Sequence, residues 1–338
     1  MDKRGPMSEV DLSVVIVNWN SAEYVLACVR SIVAGTTATA YEIIVVDNAS
    51  FDGCEQQLAQ EFPGVLFLQS SKNLGFGAAN NLGVARSRGG VLLFLNPDTE
   101  VRKGAIDRLY AGIAKLSDAG VVGCRLLNTD GTLQTSCVQA LPTVLNQILN
   151  ADLLRRCAPR AWLWGTRALF STSTAPVEVE AVSGACMMVR RQVFERVGGF
   201  SPAFFLYGED LDFCARVGRA GFRNAYVGNC EVVHHGGGSA RNVHSTFSVV
   251  MMCESVALLL RRLRGPLAST SYRVALIISA CLRLTILAVT SPAWLMASGA
   301  TSWSNACRKW LAILRWGLGL HRPALPHLQR SPDVGGAR

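Results

Sequence analysis

Leu12–Asn18 reads LSVVIVN, and residues 42–47 read EIIVVD. Both runs are short, β-branched and apolar without alternation, the pattern of strands buried on both faces. Between them, residues 21–33 carry apolar side chains at helical spacing, with Ser21 placed to cap the first turn. The alternation continues outward. Residues 52–62 predict a helix, 65–69 a strand, 75–88 a helix, 91–95 (VLLFL) a strand, 102–116 a helix and 121–126 a strand. This order predicts an α/β fold with a mostly parallel central sheet covered by helices on both faces. Ligands of such sheets bind beyond the carboxyl ends of the strands, where Asn18, Asp47 and Asp98 stand.

Farther along, residues 128–134 (NTDGTLQ) predict a hairpin turn at Asp-Gly. Residues 140–178, with Pro142, Pro159 and Pro176, read as a loop-rich insertion. Regular structure returns at 182–189, followed by a helix at 191–197 and another beginning near Glu209. Residues 244–317 read as apolar helices with regularly placed arginines. The 338 residues therefore divide into an α/β domain over 1–243 and a helical extension over 244–338.

Half of the residues are hydrophobic, 17% are charged, and the mean hydropathy is +0.26. The net charge of +9 lies entirely in residues 254–338, which hold 11 basic residues against Glu254 and Asp333. A basic segment rich in Leu, Ile and Trp fits an anionic lipid surface better than nucleic acid. Arg283 and Pro292 interrupt its apolar runs, so in-plane helices are expected rather than a span, with Trp294, Trp303, Trp310 and Trp316 near the interface. The 11 cysteines are scattered and never spaced Cys-x-x-Cys, as expected of small core residues in a reduced, cytoplasmic protein. No apolar stretch precedes the first strand, so no signal peptide is expected.

Several chemistries lack their motifs. The first strand exits through Asn18-Trp19-Asn20 without Gly-x-Gly-x-x-Gly, which disfavours a nicotinamide or methyl-donor site. Neither a P-loop nor Gly-x-Ser-x-Gly occurs. Carboxylates at sheet ends remain. Asp47 can accept hydrogen bonds from a base or ribose, or can hold the turn that follows it. Asp98, after Asn96-Pro97, is either a turn residue or one of the few protein carboxylates that a hard cation carried on a diphosphate needs. In residues 204–212 (FFLYGEDLD), acidic groups at a helix start are favoured by the dipole. Their aromatic neighbours would also raise a carboxylate pKa, as a general base requires. Glu209 and Asp210 point to different faces, so at most one is the base, and Asp212 reads as structural. His234 and His235, followed by three glycines and Ser239, suit a metal or phosphate contact, with either imidazole available.

Seven stretches in this order are similar to one family: 12–20 (LSVVIVNWN), 45–53 (VVDNASFDG), 73–83 (NLGFGAANNLG), 93–99 (LFLNPDT), 183–190 (SGACMMVR), 197–212 and 234–239. They resemble glycosyltransferase family 2, more narrowly its bacterial rhamnosyltransferase-like branch. The resemblance implies a GT-A fold and inverting transfer with Mg²⁺ or Mn²⁺. It implies that Asp47 meets the nucleobase or ribose and that Asp98 is the metal-side carboxylate, Asn96 replacing the first acid of Asp-x-Asp. It implies that Asp210 is the base, that His234 rather than His235 is the late metal-side histidine, and that Asn18, Asn73, Gly75, Asn80, Gly184 and Glu209 line the donor pocket. The partners implied are a nucleotide-diphospho-sugar donor, with dTDP-L-rhamnose the first choice, and a glycan or polyprenyl-diphosphate-linked acceptor at the inner face of the cell membrane. Galactofuranose, N-acetylhexosamine or mannose are alternative sugars. A non-catalytic glycan-binding scaffold is the rival class.

Overall fold

The computed structural model describes residues 10–149, 154, 157–171, 175–236 and 246–320, without the side chains of 291–300. The start of the chain read for a signal, residues 237–239 of the glycine run, parts of the 140–178 insertion and the Trp294 side chain lie outside the described residues. The chain divides into two compact units. One holds Met1–Leu141, Asp152–Phe205 and Glu209–Arg241, the other Pro142–Ala151, Leu206–Gly208 and Asn242–Arg338. Two short segments that the sequence reading kept with residues 1–243 thus group with the carboxyl-terminal helices.

The first unit is built on a nine-stranded sheet. Its parallel half pairs β3 (Leu66–Gln69), β2 (Tyr41–Asp47), β1 (Leu12–Asn18) and β4 (Val91–Leu95) in that order. Helices α1 (Ala22–Gly35), α2 (Cys54–Glu61) and α3 (Phe76–Val84) follow these strands in turn, as the alternation predicts. The other half is mixed. β10 (Cys186–Arg190) runs antiparallel to both β4 and β6 (Ala119–Leu127), and β11 (Arg223–His234) lies parallel to β6. Two short strands, β5 (Thr99–Val101) and β8 (Val177–Val179), pair with β11 in antiparallel sense. Outside this sheet β7 (Val138–Gln139) pairs with β9 (Ala181–Val182). Between Asp98 and α4 (Ala105–Lys115) lie β5 and a turn over residues 102–104. β5 pairs with β11, and the chain then turns through Gly104 at φ +69°, so the helix expected from residue 102 starts at Ala105.

Alternate residues of the central strands feed two cores. Val14, Ile16, Val45 and Leu93 pack with α1 and α4 on one face. Val15, Val17, Val46 and Phe94 pack on the other with Phe194 from α6 (Arg191–Arg196), Phe200, and Phe213 from α7 (Glu209–Arg219). Phe200 is fully buried at the centre of this face, its ring 4.8 Å from Phe94 and 5.0 Å from Phe213 by centroids. Its backbone N–H donates to Asn81 Oδ1. The ring thereby seats the helix that begins with Glu209 and Asp210 against the sheet.

The second unit holds α5 (Val144–Ile148), α8 (Thr246–Arg264), α9 (Pro266–Val289) and α10 (Ser291–Gly317). Its core includes Val250, Leu260, Tyr272, Ile313 and Trp316. Trp316 is 1% exposed and donates its indole N–H to Glu254 at 2.6 Å. It is a core residue, not the interfacial tryptophan expected, because the exposed Glu254 carboxylate supplies the acceptor that its indole needs. Eight of the 11 free cysteines are buried.

Phe200→Ala is expected to lose about 3–5 kcal/mol of unfolding free energy, the usual cost of emptying a large aromatic site in a core. Chemical denaturation checks this, and a loss below about 1 kcal/mol would show that the aromatic cluster does not hold the sheet face together.

Candidate active site

β1 and β2 end in register, Asn18 opposite Asp47. Asn18 is fully buried and Asp47 1% exposed. Asp47 Oδ1 accepts from Asn18 Nδ2 at 2.7 Å, and Oδ2 accepts from Gln69 Nε2 at 2.6 Å and the N–H groups of Ser50 and Phe51 at 3.0 and 3.3 Å. Three of these four donors converge on Oδ2. Asp47 therefore holds the loop that follows β2. Asn18 also donates to Asp52, whose Oδ2 accepts the Ala22 N–H at 3.0 Å. Asp52 thus caps α1, and Ser21 does not: its hydroxyl turns back to Asn18 Oδ1 at 2.9 Å.

These ties leave two aromatic side chains outside, Trp19 40% and Phe51 69% exposed. The loops that bear them are joined by the Asn20 N–H to Ser50 Oγ at 2.8 Å. Asn20, Ala49 and Phe51 all have positive φ, 52°, 65° and 53°. For a bulky residue such as Phe51 the left-handed region costs about 1–2 kcal/mol, and strain of this kind collects where a ligand is met. The sequence reading passed over both aromatics, although each lies in a stretch it singled out.

Asn73, Gly75 and Asn80 shape the neighbouring loop. Asn73 Oδ1 accepts from Asn48 Nδ2 and from the Gly75 N–H. Gly75 has φ +80°, and a Cβ there would lie 2.3 Å from the Phe205 carbonyl oxygen, so only glycine fits. Asn80, 1% exposed, donates to the Phe76 carbonyl within α3. All three act here through backbone geometry.

The Asn96-Pro97-Asp98 turn is fixed by the Asn96 N–H donating to Ala185 O at 3.0 Å and by the Thr99 hydroxyl donating to Asn96 O at 2.7 Å. Asp98 is 4% exposed. β11 delivers His234 opposite Thr99, and His234 Nε2 lies 3.3 Å from Asp98 Oδ1. His235 faces away: its ring nitrogens meet Glu100 Oε1 at 2.8 Å and Thr129 Oγ1 at 3.1 Å. The His235 N–H donates to Asp98 O at 2.9 Å, but of the two imidazoles only that of His234 lies beside the Asp98 carboxylate. Asn96, standing where the resemblance puts an acid, has its Nδ2 3.2 Å from His234 Nε2.

Asp210 opens α7. Its Oδ2 accepts from the Gly184 N–H at 3.0 Å and its Oδ1 from the Leu211 N–H at 2.8 Å. A Cβ on Gly184 would make van der Waals contact with both Asp210 Cβ and the Phe76 ring at 3.4 Å, so this backbone lies directly against the side chain of Asp210. Gly184 precedes Ala185, which holds Asn96. The carboxylate at 210 and the Asp98–His234 pair are thus secured to one backbone dipeptide. Burial raises the pKa of Asp210 above the ordinary aspartate value, more than its backbone donors lower it. Glu209 is buried, its Oε2 has no hydrogen-bond partner, and burial with the adjacent Asp210 charge pushes its pKa up to about 8. The first proton of the pair therefore leaves Asp210, and Glu209 keeps the second near neutrality. Asp212 is paired with Arg216 at 2.8 Å, the structural role expected. A separate cleft of about 390 Å³, lined by Arg160, Trp162, Arg167 and Phe170, contains none of these groups.

Among the described residues no cluster of three or more His, Cys, Asp and Glu could enclose a metal. The donor set fits a cation that brings its own oxygens: a buried carboxylate and an imidazole converge, leaving the remaining ligands to a diphosphate.

The family model for glycosyl transferase family 2 matches residues 13–198, more than half of the chain. The chain belongs to this family. A second model, the N-terminal domain of galactosyltransferase, matches residues 167–235. An N-acetylglucosaminyl-diphospho-decaprenol L-rhamnosyltransferase of Mycobacterium tuberculosis is 33% identical over 206 residues, 57% of this chain. The aligned part covers 66% of that relative's length, just under two thirds. The rhamnosyltransferase WbbL of Escherichia coli is 25% identical over 66% of this chain and 82% of its own. The solved mannosyltransferase of Pyrobaculum calidifontis, in complex with GDP-Man and Mn²⁺, superposes with a TM-score of 0.56 at 16% identity, covering 93% of this chain and 88% of that one. The fold is thus the GT-A fold that the sequence resemblance implies.

Glu209 sets a pH dependence. Between pH 4.5 and about 8 the folded chain keeps a proton on Glu209 that the unfolded chain has lost, so stability falls as pH rises, by at most about 1.4 kcal/mol per pH unit. Glu209→Gln lacks this slope. Denaturation of both proteins from pH 5 to pH 8 checks it: a stability difference that does not change with pH contradicts a proton held on Glu209.

Proposed function

We propose that this family 2 glycosyltransferase transfers L-rhamnose from dTDP-rhamnose, with inversion, to a glycan or polyprenyl-diphosphate-linked acceptor of cell-envelope polysaccharide synthesis. The observation that carries the reading is the pair of groups fastened to Gly184-Ala185: a carboxylate with raised pKa on one side and the Asp98–His234 pair on the other. A single inverting displacement needs one base and a stabilised leaving group, and no second nucleophilic carboxylate. The names of the two rhamnosyltransferase relatives support rhamnose as the sugar, and the first of those names supports a polyprenyl-diphosphate acceptor.

In this reading Asp210 accepts the proton of the acceptor hydroxyl as that oxygen attacks the anomeric carbon. Its two backbone donors fix the carboxylate's orientation, and partial burial keeps it basic enough to take the proton. Asp98 and His234 would hold Mg²⁺ or Mn²⁺, which when bound supplies charge neutralisation to the leaving diphosphate. Asn18 and Asp47 serve the nucleoside end by setting the loops of Trp19 and Phe51, whose exposed rings are suited to stacking on a base. Asn73, Gly75 and Asn80 support the adjoining donor-pocket wall, and Glu209 stays protonated behind the base.

The second unit supplies the proposed attachment to the cytoplasmic face of the membrane. α9 is long and apolar enough to cross a membrane by length and composition, and only 17% of its most apolar window is buried. Val274, Ile278, Leu282 and Ile286 recur every four residues as an exposed stripe. Arg273 stacks on Trp316 at 4.8 Å and Arg283 on Trp310 at 4.5 Å, so each charge is held at the helix surface. An apolar stripe flanked by arginines fits a helix lying in the headgroup region of an anionic bilayer.

Transfer is tested with a panel of dTDP-rhamnose and nucleotide-linked galactofuranose, N-acetylhexosamine and mannose against lipid-linked acceptors in Mg²⁺. Rhamnose transfer is expected. Asp210→Asn is expected to lose about 10²–10⁴-fold in kcat with donor affinity nearly unchanged. Full activity in that variant would remove Asp210 from the base role, and turnover of another donor alone would reassign the sugar. For the membrane, Ile278→Glu with Leu282→Glu is expected to abolish sedimentation with vesicles rich in anionic lipid. Undiminished sedimentation would rule out the α9 stripe as the contact.

A further inference from the structure

The turn at 128–134 has no part in the chemistry above, yet it reaches the cation end of the site. Gln134 Oε1 lies 2.7 Å from His234 Nδ1. The Gln134 amide nitrogen donates to Asn128 Oδ1 at 3.1 Å and, more weakly, to the His234 carbonyl at 3.4 Å. Asn128 Nδ2 donates to Thr132 Oγ1 at 2.9 Å, and the Thr132 hydroxyl donates to Asp130 Oδ1 at 2.6 Å. The turn is closed by Asn128 N–H to Thr132 O at 2.8 Å and Gly131 N–H to Asn128 O at 2.9 Å, with Gly131 at φ +80°.

This chain has a direction, and Asp130 sets it. An ionised carboxylate only accepts hydrogen bonds. The bonds from Thr132 hold the Asp130 pKa below the ordinary aspartate value, so the group is ionised at neutral pH. Thr132 must give its one proton to Asp130 and can only accept from Asn128. Asn128 therefore turns its NH₂ to Thr132 and its oxygen to Gln134. Gln134 turns its NH₂ to Asn128, which leaves its oxygen facing His234 Nδ1. That nitrogen must then carry the proton. In the neutral ring, Nε2 is left with its lone pair on the side where Asp98 Oδ1 stands at 3.3 Å and Asn96 Nδ2 at 3.2 Å.

We propose that the 128–134 turn is the outer shell of the cation site, and that Gln134 is a positioning residue that locks His234 in the tautomer whose Nε2 can ligate a divalent cation. The cation part rests on the reading of Asp98 and His234 given above; the tautomer lock is readable without any cation. A metal-ligating histidine needs its second nitrogen anchored by an acceptor, and loss of such an anchor lowers metal affinity about 10–100-fold. Here the acceptor is a neutral amide whose orientation is imposed three bonds away, at an exposed turn. Its neighbour Thr129 lies 3.1 Å from His235 Nδ1, so the same turn also holds the second imidazole away from the Asp98 carboxylate, although the His235 N–H donates to Asp98 O.

The test uses the full-length protein labelled with ¹⁵N-histidine. Two-bond ¹H–¹⁵N spectra at pH 8.5, with His234 assigned by its loss in His234→Gln, report the tautomer. Mn²⁺ titration in the presence of dTDP, followed by electron paramagnetic resonance, reports the affinity. Wild type is expected to show Nδ1–H. Gln134→Leu is expected to shift His234 toward Nε2–H and to weaken Mn²⁺ binding about 10–100-fold. Gln134→Glu, which keeps an acceptor opposite Nδ1, is expected to restore both. An Nε2–H tautomer in wild type overturns the proposal, and that spectrum decides even if Gln134→Leu does not fold. Wild-type tautomer and affinity in a folded Gln134→Leu also overturn it, as does failure of Gln134→Glu to restore either. Wild type with the Nδ1–H tautomer but no Mn²⁺ binding overturns instead the reading of Asp98 and His234 as the cation site.

Discussion

The antiparallel pairing of β10 with β4 is the constraint on which the site depends. It puts Cys186 opposite Leu95, and just beyond the strands the Asn96 N–H closes onto Ala185 O. One residue earlier, the Gly184 N–H fastens Asp210. Asp98 and Asp210 lie more than 100 residues apart in the chain. Without this pairing, the carboxylate that starts α7 and the turn that carries Asp98 would have no common frame. The central strands are filled almost entirely by apolar side chains on both faces of the sheet, with few exceptions such as Ser13. Polar chemistry is thereby confined to strand ends, where backbone groups left over from the ladder orient it.

The two ends of the crevice are built by different means. Around Asn18 and Asp47, buried polar groups are used up in holding loops, and the exposed surface is aromatic and conformationally strained. Around Asp98, His234 and Asp210, side chains keep functional atoms pointed inward and delegate their anchoring to neighbours. Asn96 shows how a single replacement changes such a site. An amide in place of a carboxylate removes one negative charge and puts a donor beside the imidazole lone pair. In the proposed reading the cation end then rests on one carboxylate and one ring nitrogen, which makes the state of that nitrogen consequential.

The parallel half of the fold was legible because LSVVIVN, EIIVVD and VLLFL are apolar without interruption and separated by helical spacing. The mixed half was not. β11 is broken by Gly228-Asn229 with a register shift between Val227 and Glu231, so its residues lack a strand pattern, and β5 is three residues long. Asp98, Asp210 and His234 could be named from their order in the chain, but the roles of Gly184 and Ala185 as common anchors are backbone facts with no side-chain signature. Asp47 stood out by position alone, and whether it faces a ligand or a loop depends on four donors from three segments. Gln134 and Trp19 were visible only as members of a turn and a strand exit. The burial of Trp316 was hidden for the same reason: a basic, Trp-rich helix looks interfacial until Glu254 provides an acceptor for the indole.

The central claim is that Asp98 and His234 form the leaving-group end of a crevice whose other wall carries Asp210. Diffraction from crystals grown with dTDP and Mn²⁺, collected at a wavelength where manganese scatters anomalously, tests it most directly. The account predicts one anomalous peak within ligand distance of Asp98 and His234 Nε2, with the diphosphate completing the coordination and Asp210 facing the vacant sugar site. A peak at other residues, with Asp98 and His234 still paired to each other, would contradict it.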